Sequence, residues 1–275
     1  MSGVALGCTL KCPIYRLLAG GYEECFSWEK TFAFRSGCHG VRLFGGNSGT
    51  HARGSPLIDE KASNGHRLAQ YHNILGIGAH PDDVEIGCGG SLVAAKRAGA
   101  SIHAVSLSRC DDETPTNRKG QREAEFVAAS AIIGAKPHTF DVPDREFPEH
   151  RREIMLLLEN LQEHLRPDLV FFPSLDDPHQ DHDTVAHAVV RTFRRKETLL
   201  QYEILRHGSH SFTPTLFVDI TATLDTKLRA LGEYKSQLES RAYFDEDSFR
   251  SLARTRGAQS GCEYAEGFMV QMLYL

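Results

Sequence analysis

Apolar and polar positions along this chain fall into two regimes that meet near residue 70. Over 1–69 no period of two or 3.6 is sustained, glycines are frequent, and Gly45-Gly46-Asn47-Ser48-Gly49-Thr50 reads as a flexible linker. The reading is an N-terminal extension without compact order, followed by one catalytic domain over 70–275. From Tyr71 onward, short apolar runs alternate with amphipathic stretches. Strands are predicted at Asn73–Gly78, Ile102–Ser108, His138–Val142, Leu169–Pro173, Leu199–Leu205, Thr215–Ile220 and Phe268–Leu273. Helices are predicted at Asp83–Ala98, Arg118–Ile133, His150–Leu165, Val185–Phe193, Leu224–Leu238 and Asp247–Arg256. Strands alternating with helices at this spacing imply βαβ units. The expected fold class is therefore α/β: a Rossmann-like, mostly parallel sheet with helices on both faces.

Composition narrows the function classes. The net charge of −5, from 31 basic and 36 acidic residues, is not the clustered basic excess of a nucleic-acid binder. No run of about 18 apolar residues predicts a membrane span, and the first residues lack the charged-then-apolar order of a signal peptide. Seven scattered cysteines fit reduced thiols better than a disulfide framework, so a cytoplasmic chain is expected. Cys8, Cys12, Cys25 and Cys38 lack the paired spacing of a zinc knuckle.

The chemistry concentrates at two strand ends. His80-Pro81-Asp82-Asp83 follows the first strand, and Asp176-Asp177-Pro178-His179-Gln180-Asp181-His182-Asp183 follows the fourth. Adjacent ends in one parallel sheet would bring His80, Asp82, Asp83, His179 and His182 together. Two imidazoles and a carboxylate around an open position suit a catalytic divalent metal, with zinc the first choice. A spare carboxylate and a spare histidine then fit metal-assisted hydrolysis. Gly76-Ile77-Gly78 invites a dinucleotide reading, but Pro81 and two negative charges follow where pyrophosphate would sit. His207-Gly208-Ser209-His210 repeats the three-residue spacing without an adjacent carboxylate and reads as a pocket-lining loop.

Ala79-His80-Pro81-Asp82-Asp83, then Gly87-Cys88-Gly89-Gly90 and Pro178-His179-Gln180-Asp181-His182, resemble the zinc-dependent de-N-acetylases of the PIG-L/LmbE type. The likeness runs from about Asn73 to the C-terminus, with further matches at Arg122-Glu123-Ala124-Glu125, Val142-Pro143-Asp144 and Lys235-Ser236-Gln237. The resemblance implies His80, Asp83 and His182 as ligands of one zinc ion. It implies Asp82 as the base that activates metal-bound water, and His179 as the group that polarises the carbonyl or assists amine departure. It implies Arg122 and Asp144 as contacts to the substrate, and removal of an N-acetyl group from an N-acetylglucosamine-type conjugate as the reaction. The motif reads Asp-Asp-Val-Glu where many members have Asp-Asp-Glu, and both carboxylates remain. Two alternatives stand beside this one: hydrolysis of a different amide, such as a thiol conjugate, and a catalytically idle sugar-binding module. The expected partner is a small-molecule amino-sugar conjugate, with homo-oligomer formation left open.

Overall fold

The computed structural model describes residues 68–111, 118–206 and 211–274. In chain order they form β1 (Asn73–Gly78), α1 (Asp83–Arg97), β2 (Ser101–Ser106), α2 (Gln121–Ile133), β3 (Lys136–Thr139), α3 (Arg151–Leu165) and β4 (Leu169–Pro173). There follow α4 (Gln180–Thr192), β5 (Thr198–Tyr202), β6 (Leu216–Asp219), α5 (Leu224–Leu231), α6 (Lys235–Ser240), α7 (Glu246–Ser260) and β7 (Ala265–Met272). One seven-stranded sheet has the order β3-β2-β1-β4-β5-β7-β6. Strands β1 to β5 run parallel, and β7 pairs antiparallel with both β5 and β6. The α/β expectation of a mostly parallel sheet holds. The expectations for the extension, its cysteines and the His207–His210 loop lie outside the described residues, apart from positions 68 and 69.

Strand residues alternate between two cores. Ile74, Ile102, Ala104 and Phe171 face a core completed by α1, α2, α5 and α7, among them Leu92, Phe126, Leu228 and Phe249. Leu75, Ile77, Val105, Val170 and Phe172 face a second core built with Ile154 and Leu158 of α3 and Val185 and Val189 of α4. Helices thus cover both faces, which is why the central strands read as continuous apolar runs.

Several boundaries differ from the sequence expectation, each for a physical reason. Helix α4 begins one turn earlier than Val185, because Gln180 to Asp183 are polar residues at the site end of the helix and carry no apolar period. The stretch expected as one helix over Leu224–Leu238 breaks at Gly232-Glu233-Tyr234, where fully buried Tyr234 donates to Glu85 Oε2 at 2.9 Å. Strand β3 ends at Thr139, although Phe140 and Val142 still donate to Ser106 and Leu107 carbonyls.

Glycines seat α1 against the sheet. A Cβ on Gly76 would meet Val84 Cγ1 at 2.7 Å, and one on Gly78 would meet Asp83 Cβ at 2.7 Å. These glycines serve close helix–strand packing rather than a phosphate. A Cβ on Gly87 would lie 2.2 Å from the ring of Tyr202, whose hydroxyl donates to the Ile77 carbonyl at 2.7 Å. Farther along, Lys227 Nζ donates to the Ile86 carbonyl at 2.7 Å, and Gly90 N–H donates to Glu266 Oε1 at 2.9 Å. Those two backbone groups are four residues apart on α1, so the Lys227 and Glu266 side chains grip one turn of the helix. Lys227 and Glu266 are themselves paired at 2.6 Å.

This packing predicts opposite outcomes for two neighbouring substitutions. Gly87→Ala drives a methyl into Tyr202 and lowers stability by about 2–3 kcal/mol. Gly89→Ala meets Lys227 Cγ at 3.4 Å and nothing nearer, an ordinary contact, and gains helix propensity of up to about 1 kcal/mol. Urea midpoints of the two variants check the contrast.

Candidate metal centre

Strand β1 has β2 on one side and β4 on the other: the chain winds outward from β1 through β2 to β3, then returns to the far side of β1 as β4. The crevice beyond the carboxyl ends of β1 and β4 is the switch point of the sheet, where open α/β folds place their sites. Both polar segments singled out above end there.

The first segment is held by Asp83. Its Oδ2 accepts the N–H groups of Ala79 and His80, each at 2.9 Å, folding the first turn of α1 back onto the end of β1. The turn requires Asp82 at φ 116°, a region few non-glycine residues enter, with Asp and Asn among those that do best. Asp82 stands at the N-cap position but makes no capping hydrogen bond. Its Oδ2 instead pairs with Arg122 Nη2 at 2.9 Å, and the same guanidinium donates to the Pro81 carbonyl. Capping therefore does not account for this carboxylate.

In the second segment, His179 is the N-cap of α4 and its Nδ1 accepts the N–H of Asp181 at 3.2 Å. Burial and the neighbouring His182 and His80 push the His179 pKa down to about 4. A neutral His179 accepting at Nδ1 carries its proton on Nε2, so it is a hydrogen-bond donor there.

His80 Nδ1, Asp83 Oδ2 and His182 Nε2 form a nearly equilateral triangle with edges of 3.3, 3.3 and 3.6 Å. Three ligand atoms about 2.0–2.1 Å from a tetrahedral zinc ion would be about 3.3–3.4 Å apart. All three residues are buried. The other nitrogen of each ring is held by carboxylate: His182 Nδ1 by Asp177 Oδ2 at 2.9 Å, and His80 Nε2 by Asp144 Oδ1 at 3.0 Å and Asp181 Oδ2 at 3.1 Å. Metal-bound histidines are oriented by such partners. Burial opposes charge on His182, yet Asp83 and Asp177 raise its pKa to about 9; burial likewise opposes charge on His80, yet its three carboxylate neighbours raise it. Burial works against the Asp83 carboxylate too, and the two imidazoles override it, holding that group well below its usual range. The cluster favours positive charge, and its donors and spacing fit a divalent metal.

Asp82 differs from Asp83 in electrostatics. Burial raises its pKa to about 6 against the pull of Arg122, which leaves it an ionised but more basic carboxylate at neutral pH. Beneath it, burial raises Glu85 to about 8, and one of its oxygens has no partner.

The His80, Asp82, Asp83, His179 and His182 side chains line a cavity of about 190 Å³ together with Ile86, Arg145, Ile204, Arg206, Arg241 and Tyr243. All seven sequence-derived candidates (His80, Asp82, Asp83, Arg122, Asp144, His179 and His182) reach it. Asp144 also engages His80, a contact the sequence did not indicate. Asp177 and Asp181 lie in the same segment as His179 and His182, and the need of a metal-binding imidazole for a carboxylate partner is the sequence signal that marks them. Arg206 borders the His207–His210 stretch that reads as a pocket-lining loop, whereas Arg241 and Tyr243 come from another loop and have no sequence signal. Lys235-Ser236-Gln237 belongs to α6, where Ser236 clamps Glu125 through its N–H at 3.0 Å and its hydroxyl at 2.6 Å. Larger surface grooves, such as the one over α3 beside His150, Glu153 and Leu156, gather no metal-ligating cluster among the described residues. No helix among them is long and apolar enough to cross a membrane.

Residues 75–193 match the family model described as PIG-L, GlcNAc-PI de-N-acetylase. The chain is 29% identical over 220 residues to a diacetylchitobiose deacetylase of Thermococcus kodakarensis, covering 70% of this chain and 81% of that protein. It is 31% identical over 170 residues to the uncharacterized deacetylase YaiS of Escherichia coli, covering 59% of this chain and 90% of the relative. A 4-oxalmesaconate hydratase of Pseudomonas putida is 25% identical over 184 residues, 57% of this chain and 70% of that one. Among solved structures, the conserved protein TT1542 of Thermus thermophilus superposes with a TM-score of 0.61 at 31% identity, over 74% of this chain and 97% of the other. The chain belongs to the PIG-L family of de-N-acetylases.

Proposed function

We propose that the protein is a zinc-dependent hydrolase that removes an N-acetyl group from an N-acetylglucosamine-type conjugate. The observation that carries this reading is the His80, Asp83 and His182 triangle beside a separately held basic carboxylate, Asp82. The family, and a deacetylase relative named for diacetylchitobiose, support the substrate class. His80, Asp83 and His182 would hold the metal. Bound there, zinc supplies Lewis-acid chemistry, making water a nucleophile near neutral pH and drawing electrons from a carbonyl.

The remaining steps belong to side chains of the chain. Arg122 occupies Asp82 Oδ2 and fixes the carboxylate, which leaves Oδ1 to take the proton of the attacking water. With pKa near 6, Asp82 is ionised at neutral pH yet basic enough to accept that proton. His179, neutral and protonated at Nε2, donates a hydrogen bond to the oxygen that gains charge as the tetrahedral centre forms. Asp82 then returns its proton to the nitrogen as the carbon–nitrogen bond breaks. Acetate and the free amine result. Arg122 and Asp144 stand at the cavity wall, where each would also contact the sugar or the acyl group. The folded catalytic unit over 70–275, a preceding extension over 1–69, and action in the cytoplasm on a soluble amino-sugar conjugate complete the reading.

A chelator should abolish acetate release from N-acetylglucosamine conjugates, and added zinc should restore it; release that survives complete metal removal would sink the metal role. Asp82→Asn keeps a residue tolerant of the positive φ, so it tests chemistry rather than folding. Its kcat should fall by about 10²–10⁴-fold with zinc content unchanged, measured by acetate assay beside metal analysis. Asp177→Asn should weaken zinc binding by about 10–100-fold, read by competition with a chromophoric chelator.

A further inference from the structure

The cavity holds more positive side chains than its acids require. Each carboxylate at its floor is already engaged: Asp82 by Arg122, Asp83 by His80 and His182, and Asp144 by His80. Arg206 and Arg241 line the same cavity, and neither has a carboxylate within ion-pair distance among the described residues. Both are organised by one aromatic ring. The Arg206 guanidinium lies 5.3 Å from the centroid of Tyr243, and Arg241 Nη1 donates to the Tyr243 hydroxyl at 3.4 Å. The two arginines reach the cavity from different loops, Arg206 beyond β5 and Arg241 just past α6. The charge of Arg241 is felt at Asp82, so it acts within range of the reaction centre.

Two guanidinium groups braced on a tyrosine, beside a site whose own acids are satisfied, form a receptor for an anion brought by the substrate. Guanidinium is matched to carboxylate and phosphate, binding either through paired N–H groups, and a stacked arginine spends less rotamer freedom on doing so. Both groups keep access to water, so a neutral sugar would gain no ionic contact from them, whereas an anion would.

We propose that Arg206, Arg241 and Tyr243 form a specificity subsite for an anionic substituent, carboxylate or phosphate, on the group attached to the amino sugar. This rests on the deacetylase reading for the position of the acyl group, but not for the existence of the subsite. The preferred substrate is then an acidic conjugate rather than a neutral oligosaccharide.

The test compares three N-acetylglucosamine derivatives on the zinc-loaded full chain: the methyl glycoside, the carboxymethyl glycoside and the 1-phosphate. One or both anionic compounds should exceed the methyl glycoside in kcat/KM by about 10–100-fold, chiefly through KM. Which of the two gains more distinguishes carboxylate from phosphate. In Arg206→Gln and Arg241→Gln that ratio should collapse toward one. Equal kcat/KM for all three compounds in the parent protein would overturn the proposal, and so would a preference that persists undiminished in both variants. Titration calorimetry of the same compounds separates the two readings. Should no compound release acetate, the deacetylase reading fails. The subsite then stands if the anionic compounds bind at least tenfold more tightly than the methyl glycoside in the parent and not in the variants, and falls if all bind alike.

Discussion

The structure turns on the Asp83 carboxylate. It accepts two backbone N–H groups at the end of β1, starts α1, and forms one corner of the triangle with His80 and His182. A single side chain thus sets the direction in which the helix leaves the sheet and the place where a cation can sit. Close approach of helix and strand is a precondition, because a Cβ on Gly78 would fall 2.7 Å from Asp83 Cβ. The left-handed Asp82 follows from the same turn, which sends adjacent carboxylates to different partners, Asp83 to the imidazoles and Asp82 to Arg122.

That division explains how two neighbouring acids acquire opposite character. Both are buried, and burial alone would raise both. Two imidazoles on Asp83 reverse the effect, whereas one arginine on Asp82 only moderates it, leaving a pKa near 6. The starts of α1 and α4 both lie at this crevice, adding the partial positive charge of two helix N-termini to the surroundings of the acids. Asp144, Asp177 and Asp181 around the His80 and His182 rings balance that charge and fix which nitrogen of each ring faces inward.

The legible part of this architecture was the part written in short-range pattern. Central strands such as Asn73–Gly78 and Leu169–Pro173 were readable because burial on both faces makes them continuous apolar runs between turn residues. The His80–Asp83 and His179–His182 segments were readable because ligand types cluster within a few positions at strand ends. The start of α4 was hidden by its own function, since a helix turn that supplies site residues has no apolar stripe. The break at Gly232–Tyr234 was hidden because Tyr234 turns inward to Glu85, a contact 149 positions away in the sequence. The meeting of Arg206, Arg241 and Tyr243 was hidden for a related reason: exposed or half-exposed residues on loops have no periodicity, and only the fold brings them to one cavity.

The site therefore divides into two layers with different supports. The His and Asp cluster stands on the ends of β1 and β4 and the first turns of two helices, where packing against Gly76, Gly78 and Gly87 leaves little freedom. Arg206, Arg241 and Tyr243 stand on connections that can change without disturbing the sheet. Proteins named as a hydratase and as a deacetylase both appear among the relatives of this chain. The rigid layer cannot by itself choose between such reactions or among their substrates. On the proposed reading, selection comes from the groups that decide which bond is held against Asp82 and His179, and the cavity side chains on these connections include the cationic Arg206 and Arg241.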